Sequence, residues 1–165
     1  MAKHFITVLD SVMPTGLFGL PWNKIDAWRG SGLRIAAADG CFDLLHPGHV
    51  RMLDWAAGLA DKLVVLLPDD ASVAAAKAGR PFAPLPDRMD VVAALRAVDA
   101  VGHYGQDDLA AAYAALRPDI LVNSPEWVGC IVGQAEVEAA GGRVELFPRI
   151  AGRSTSDMIA RIRNS

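Results

Sequence analysis

From Leu33 onward, short unbroken apolar runs alternate with stretches of helical spacing. The runs are LRIAAA at 33–38, KLVVLL at 62–67, AVGHY at 100–104, DILVN at 119–123 and RVELF at 143–147. Helical patterns fill the intervals at 49–60, 70–77, 87–97, 107–116 and 133–140, and a last one starts at about Ser154. A strand that is apolar along its whole length is covered on both faces, whereas a strand with one wet face alternates. Such strands exchanging with helices predict an α/β fold, a parallel sheet of about five strands with helices on both faces. The alanine-rich stretches 71–78 and 110–115 follow from helix propensity and close packing.

The first 32 residues break this rhythm. Pro14, Gly16, Gly19, Pro21, Gly30 and Gly32 interrupt them and leave room for a short helix around Trp22 to Trp28. Residues 1–32 therefore read as an irregular N-terminal extension, packed as an appendage on a single domain of residues 33–165.

A chain of 165 residues, 52% of them hydrophobic, can bury one core without metals or disulfides. Its net charge of -3 and scattered Lys and Arg residues exclude a surface built for a long polyanion, so no nucleic-acid partner is expected. A small anionic ligand fits the same composition. Cys41 and Cys130 are too few for a disulfide framework and read as reduced thiols of a cytoplasmic protein. The opening apolar run is broken by Asp10 and is too short for a signal peptide or a membrane span, so no membrane partner is expected. The composition is compatible with a homodimer, although no interface is legible.

In an open parallel sheet, ligands bind beyond the carboxyl ends of the strands, where strand order reverses. The segment GCFDLLHPGH, residues 40–49, follows the first strand and occupies that place. Gly40 leaves space beside the backbone, and Pro47-Gly48 mark a helix start whose N–H groups suit an anion. His46 and His49 lie about one turn apart there and can face the same way, toward phosphate oxygens. A zinc reading needs further ligands at a spacing the sequence lacks, so no metal ligand is assigned. Core packing is the other reading of the two histidines, and Phe42 reads as core by residue type.

These ten residues match G-x-F-D-x-x-H-x-G-H, the signature of the nucleotidyltransferase superfamily. The chain thus resembles cytidylyltransferases and adenylyltransferases of the HxGH type, whose fold is Rossmann-like. The likeness continues through 69–101, 116–123 and 141–162, and is strongest to the adenylyltransferase domain that makes ADP-heptose from heptose 1-phosphate. It makes residues 33–165 a nucleotidyltransferase domain. What it implies is an enzyme that transfers a nucleoside monophosphate, AMP from ATP in the first instance, to a sugar 1-phosphate or similar phosphorylated small molecule, releasing pyrophosphate. Mg²⁺ is expected to arrive with the nucleoside triphosphate.

By the same resemblance, His46, His49 and Lys77 are the catalytic candidates, with Lys77 a mobile point charge over the phosphates. Gly40, Cys41, Phe42 and Gly48 belong to the nucleotide and phosphate site. Ser154, Thr155 and Ser156 open the last helix, where they can hold the leaving pyrophosphate or simply cap. Arg88, with Arg80 in GRPFAPLPDRM, is expected at a phosphate or in a structural contact, since its guanidinium fork suits either. Asp43 is expected to brace the loop, because a phosphate nucleophile already ionised needs no base.

Departures from the heptose pattern mark the substrate pocket. Asp39 stands where those enzymes carry Asn, and Asn123-Ser124-Pro125-Glu126-Trp127 replace Lys-Gly-Gly-Asp followed by an aromatic residue. Arg153 stands where a small or apolar residue is usual. Asp39, Asp43, Asn123, Glu126, Trp127 and Arg153 are accordingly the substrate-pocket candidates. Two alternatives stay open: a CTP-using cytidylyltransferase acting on a polyol or alcohol phosphate, and a catalytically weak relative that binds nucleotide or metabolite.

Overall fold

The computed structural model describes residues 17–148 and 150–164 of the chain. Five strands, β1 (Ile35–Asp39), β2 (Lys62–Pro68), β3 (Ala100–Tyr104), β4 (Ile120–Asn123) and β5 (Arg143–Leu146), form one sheet in the order β3-β2-β1-β4-β5. Every neighbouring pair is parallel. The helices are α1 (Trp22–Gly30), α2 (Pro47–Ala57), α3 (Asp70–Ala76), α4 (Leu85–Ala93), α5 (Leu109–Leu116), α6 (Gln134–Ala139) and α7 (Thr155–Arg163).

Successive side chains of a strand point to opposite faces, and here they feed two separate cores. Ile35, Ala37, Val64, Leu66 and Leu121 pack with α1, α5 and α6 through Ile25, Trp28, Tyr113, Leu116 and Val137. Ala36, Ala38, Leu63, Val65, Ile120 and Val122 pack on the other face with Leu53 and Ala56 of α2 and Met89 and Val92 of α4. Helices on both faces explain the unbroken apolar runs of β1, β2 and β4. The edge strand β5 departs from that pattern, with Arg143 and Leu146 exposed and only one neighbouring strand.

Residues 17–32 correct the expectation of an irregular appendage. A 3₁₀ turn at Leu17–Gly19 leads into α1, and Leu20, Ile25 and Trp28 are part of the core. Gly102 of β3 shows how close the contact is, since a Cβ there would stand 2.7 Å from Leu20 Cγ. The rest of the proposed extension, residues 1–16, lies outside the described residues.

Acidic side chains fix the amino ends of the central strands. Asp119 Oδ2 accepts from Ile35 N at 2.7 Å, and Asp99 accepts from Leu63 N at 2.9 Å while pairing with Lys62 Nζ. The carboxyl ends are left for function. Strand order reverses between β1 and β4, and the register that pairs Ala38 with Val122 makes Asp39 and Asn123 the closing residues of neighbouring strands.

Candidate active site

A cavity of about 820 Å³ opens beyond the carboxyl ends of β1 and β4. The loop after β1 and the start of α2 bring Gly40, Cys41, Phe42, His46, Gly48 and His49 to its wall. Lys77 at the end of α3, the Asn123–Trp127 loop after β4, and Arg153 with Ser154, Thr155 and Ser156 at the start of α7 complete it. Residues scattered over more than a hundred positions thus meet at the point where an open α/β sheet takes its ligand.

His46 caps α2 from an extended conformation, and Pro47 fills the first helical position, where a missing N–H costs nothing. His49 N donates to His46 Nδ1 at a long 3.4 Å. The two imidazoles stack with centroids 3.7 Å and planes 19° apart, and the buried Phe42 packs against His49 at 4.9 Å. A Cβ on Gly48 would stand 2.8 Å from Arg153 O, so glycine lets α2 begin directly against the α7 loop. His49 Nδ1 is buried with no hydrogen-bond partner. Burial, and then electrostatic repulsion from His46 and Lys77, hold His49 down to about 3, leaving it a neutral imidazole at neutral pH.

Across the cavity, α7 begins with a capping box. Ser154 Oγ accepts from Asp157 N at 3.1 Å and donates to Asp157 Oδ2 at 2.6 Å. Its hydroxyl is engaged in the cap, so the helix start as a unit, with Thr155 and Ser156, faces the cavity. On the third side Trp127 stands 53% exposed on the 3₁₀ turn Pro125–Trp127, with Cys130 Sγ donating to its carbonyl at 3.3 Å.

Two expected site residues lie behind the wall instead of on it. Arg88 is 1% exposed, and its guanidinium is spent on protein acceptors: Cys41 O at 2.9 Å, Pro68 O at 2.9 Å, Ala83 O at 3.1 Å and Asp70 Oδ1 at 2.7 Å. This corrects the expectation of a phosphate contact, because the fork ties the loop after β1 to the end of β2. Asp43, also counted with the substrate pocket, is buried away from it and braces the loop by accepting from Phe82 N, Ala83 N and Arg80 Nε. Burial pushes its carboxyl up, but the N–H of Ala83, then Arg80 and Phe82, outweigh that and hold it below its ordinary value.

Asp39 lines the cavity, and its Oδ1 accepts from the Tyr113 hydroxyl at 2.8 Å. Tyr113 is fully buried in α5, and its ring fills the space beside Gly133, where a Cβ would fall 2.2 Å from Cδ2. Sequence reading missed Tyr113. The available signal was a lone polar-tipped residue inside LAAAYAAL, a buried position whose hydroxyl needs a partner.

Residues 37–150 match the family model described as cytidylyltransferase-like. The chain belongs to the cytidylyltransferase-like family. This cytidylyltransferase-like chain is 44% identical to the bifunctional protein HldE of Hyphomonas neptunium over 97% of its own length and 34% of that protein's. It is 49% identical to the HldE of Halorhodospira halophila over 82% of its length and 29% of that protein's. It thus spans about a third of the length of the curated relatives it matches. Among solved structures, a lipopolysaccharide core biosynthesis protein from Thermoplasma volcanium superposes with a TM-score of 0.59 at 24% identity, covering 72% of this chain and 98% of that one. That likeness supports the Rossmann-like fold.

The donor set limits how a metal could be held. Asp39, Asp107 and Glu126 are the carboxylates on the cavity wall, and no group of three His, Cys, Asp or Glu side chains among the described residues could hold an ion. Among the described residues there is thus no ready-made metal cage. Among the described residues, no helix is long and apolar enough to cross a membrane.

Proposed function

We propose that the chain is a nucleotidyltransferase that moves AMP from ATP to a sugar 1-phosphate, with release of pyrophosphate. The paired imidazoles of His46 and His49 at the start of α2, facing the start of α7 across one cavity, are the observation that supports this most. The identity to bifunctional HldE proteins supports a sugar-phosphate acceptor of the ADP-heptose kind.

Attack by an acceptor phosphate oxygen on the α-phosphate brings two anions together and builds negative charge on a five-coordinate phosphorus. Catalysis then rests on positioned donors and positive charge, with no covalent role for the protein. In the free protein His49 is neutral and its Nδ1 lacks a partner. A triphosphate reverses the balance, because its charge favours an imidazolium and gives the buried nitrogen an oxygen to bond. His46, stacked on it, donates beside it. Lys77, exposed at the end of the short helix α3, adds a movable charge, and the first turn of α7 receives the departing pyrophosphate. A divalent ion, Mg²⁺ in this reading, would arrive with the triphosphate and would screen its charge, with Asp39, Asp107 and Glu126 the carboxylates on the wall nearest to hand. Asn123, Glu126, Trp127 and Arg153 then face the acceptor.

The test is a pyrophosphate-release screen of ATP and CTP against sugar 1-phosphates and polyol phosphates, with products identified by mass. An ADP-sugar is the expected product. CDP-linked products alone, or nucleotide binding without turnover of any pair, would refute the assignment.

A further inference from the structure

Asp39 closes β1 and Asp43 lies in the loop that follows, and the two are held in opposite ways. Asp43 accepts from two backbone N–H groups and Arg80. Asp39 accepts one side-chain donor, the Tyr113 hydroxyl at 2.8 Å, and among the described residues no Lys, Arg or His forms an ion pair with it. Yet Asp39 is the one of the two that lines the cavity where phosphates are to lie. A bare carboxylate there would repel the ligand it is placed to meet.

We propose that Asp39 serves the bound phosphates as a neutral carboxylic acid, taking the Tyr113 hydroxyl on Oδ1 and donating its own O–H from Oδ2 to a phosphate oxygen. This rests on the nucleotidyltransferase reading of the cavity. Among the described residues, none of the groups that face Asp39 forms an ion pair with its charged form. Tyr113 from α5 and Tyr104 from β3 are both pushed upward, chiefly by burial and then by the Asp39 charge, so each stays a neutral hydroxyl. Cys41 is a free thiol, and the imidazoles of α2 and Lys77 of α3 share the cavity without pairing with the carboxyl. Burial raises the Asp39 carboxyl above its ordinary value, against the smaller pull of the Tyr113 bond. A ligand that fills the cavity removes the water still touching Asp39 and adds negative charge, and both effects favour the acid further.

Two readouts test this. In ¹³C-aspartate-labelled protein, with Asp39→Asn assigning the signal, the Asp39 carboxyl is expected to titrate above the ordinary value of about 3.9, and higher again with inorganic pyrophosphate bound. The ratio of pyrophosphate affinities, wild type over Asp39→Asn, is expected to fall as pH rises past that titration, approaching about tenfold per pH unit. The amide can still accept from Tyr113 and cannot ionise, and the ratio cancels titration of the ligand and the histidines. Tyr113→Phe, which removes the bond favouring the charged form, is expected to move the carboxyl titration upward. A flat affinity ratio, or an Asp39 carboxyl titrating in the ordinary range with pyrophosphate bound, would overturn the proposal alone. Failure of both proteins to bind pyrophosphate at any pH would overturn it together with the functional reading.

Discussion

The imidazoles of His46 and His49 lie in stacking contact, 3.7 Å between centroids, at the first turn of α2. Two rings so close resist sharing a second positive charge, and His49, further depressed by burial, is neutral down to about pH 3. A bound polyphosphate offsets that repulsion. Pyrophosphate binding near pH 7 is therefore expected to take up as much as one proton. Calorimetry in buffers of different ionisation enthalpy measures this directly, and His49→Gln is expected to lose most of the uptake.

The same depression links stability to acidity. Unfolded His49 titrates near 6.5, whereas in the free folded protein it titrates at about 3. Between those values the unfolded chain binds the extra proton, so folding free energy is present in full above pH 6.5 and is lost as pH falls toward 3. Urea midpoints of His49→Gln are expected to fall less steeply through that window than those of the wild type. Parallel curves would show that the ring is not held neutral.

Arg88 supplies a test that separates bracing from binding. Arg88→Met leaves the carbonyls of Cys41, Pro68 and Ala83 and the Asp70 carboxylate without their shared donor. Breaking a buried charged network of this kind costs about 3–5 kcal/mol, read as a lower urea midpoint. Arg88→Lys is expected to recover only part of it, since one ammonium cannot reach four acceptors spread around a planar fork.

Much of the fold was legible because its signal is local and repeated. Unbroken apolar runs between helical stretches specify buried parallel strands, and β3 falls where AVGHY was read. The loop residues of the GCFDLLHPGH segment could be placed at a helix start from Pro47 and Gly48. What could not be read is where long side chains reach. Arg88 and a phosphate-binding arginine look alike in sequence, and only the fold brings Cys41 O, 47 residues away, against its guanidinium. Tyr113 and Asp39 are 74 residues apart, so their bond has no local trace. Leu20, Ile25 and Trp28 were hidden by the prolines and glycines around them, which mark turns without revealing that the helix between them enters the core.

The loop after β4 lines the cavity and is the proposed acceptor side of it. Trp127 is 53% exposed, so Trp127→Ala is expected to change stability by no more than about 0.5 kcal/mol while raising KM for the sugar phosphate severalfold. Asn123→Lys, which adds a cation beside Asp39 at the closing edge of β4, is expected to shift preference among sugar phosphates with the fold intact. Identical kinetics across the panel for wild type and both variants would place that loop outside the acceptor site.

The proposed role of His46 and His49 is that of paired donors to the triphosphate. It is tested most directly by the rate of pyrophosphate release from ATP and a sugar 1-phosphate, compared between wild type and His49→Ala under saturating substrate. The expected result is turnover by the wild type and a loss of at least about 10²–10³ in kcat for the variant, with an unchanged circular dichroism spectrum. Equal kcat for the two folded proteins would contradict the account.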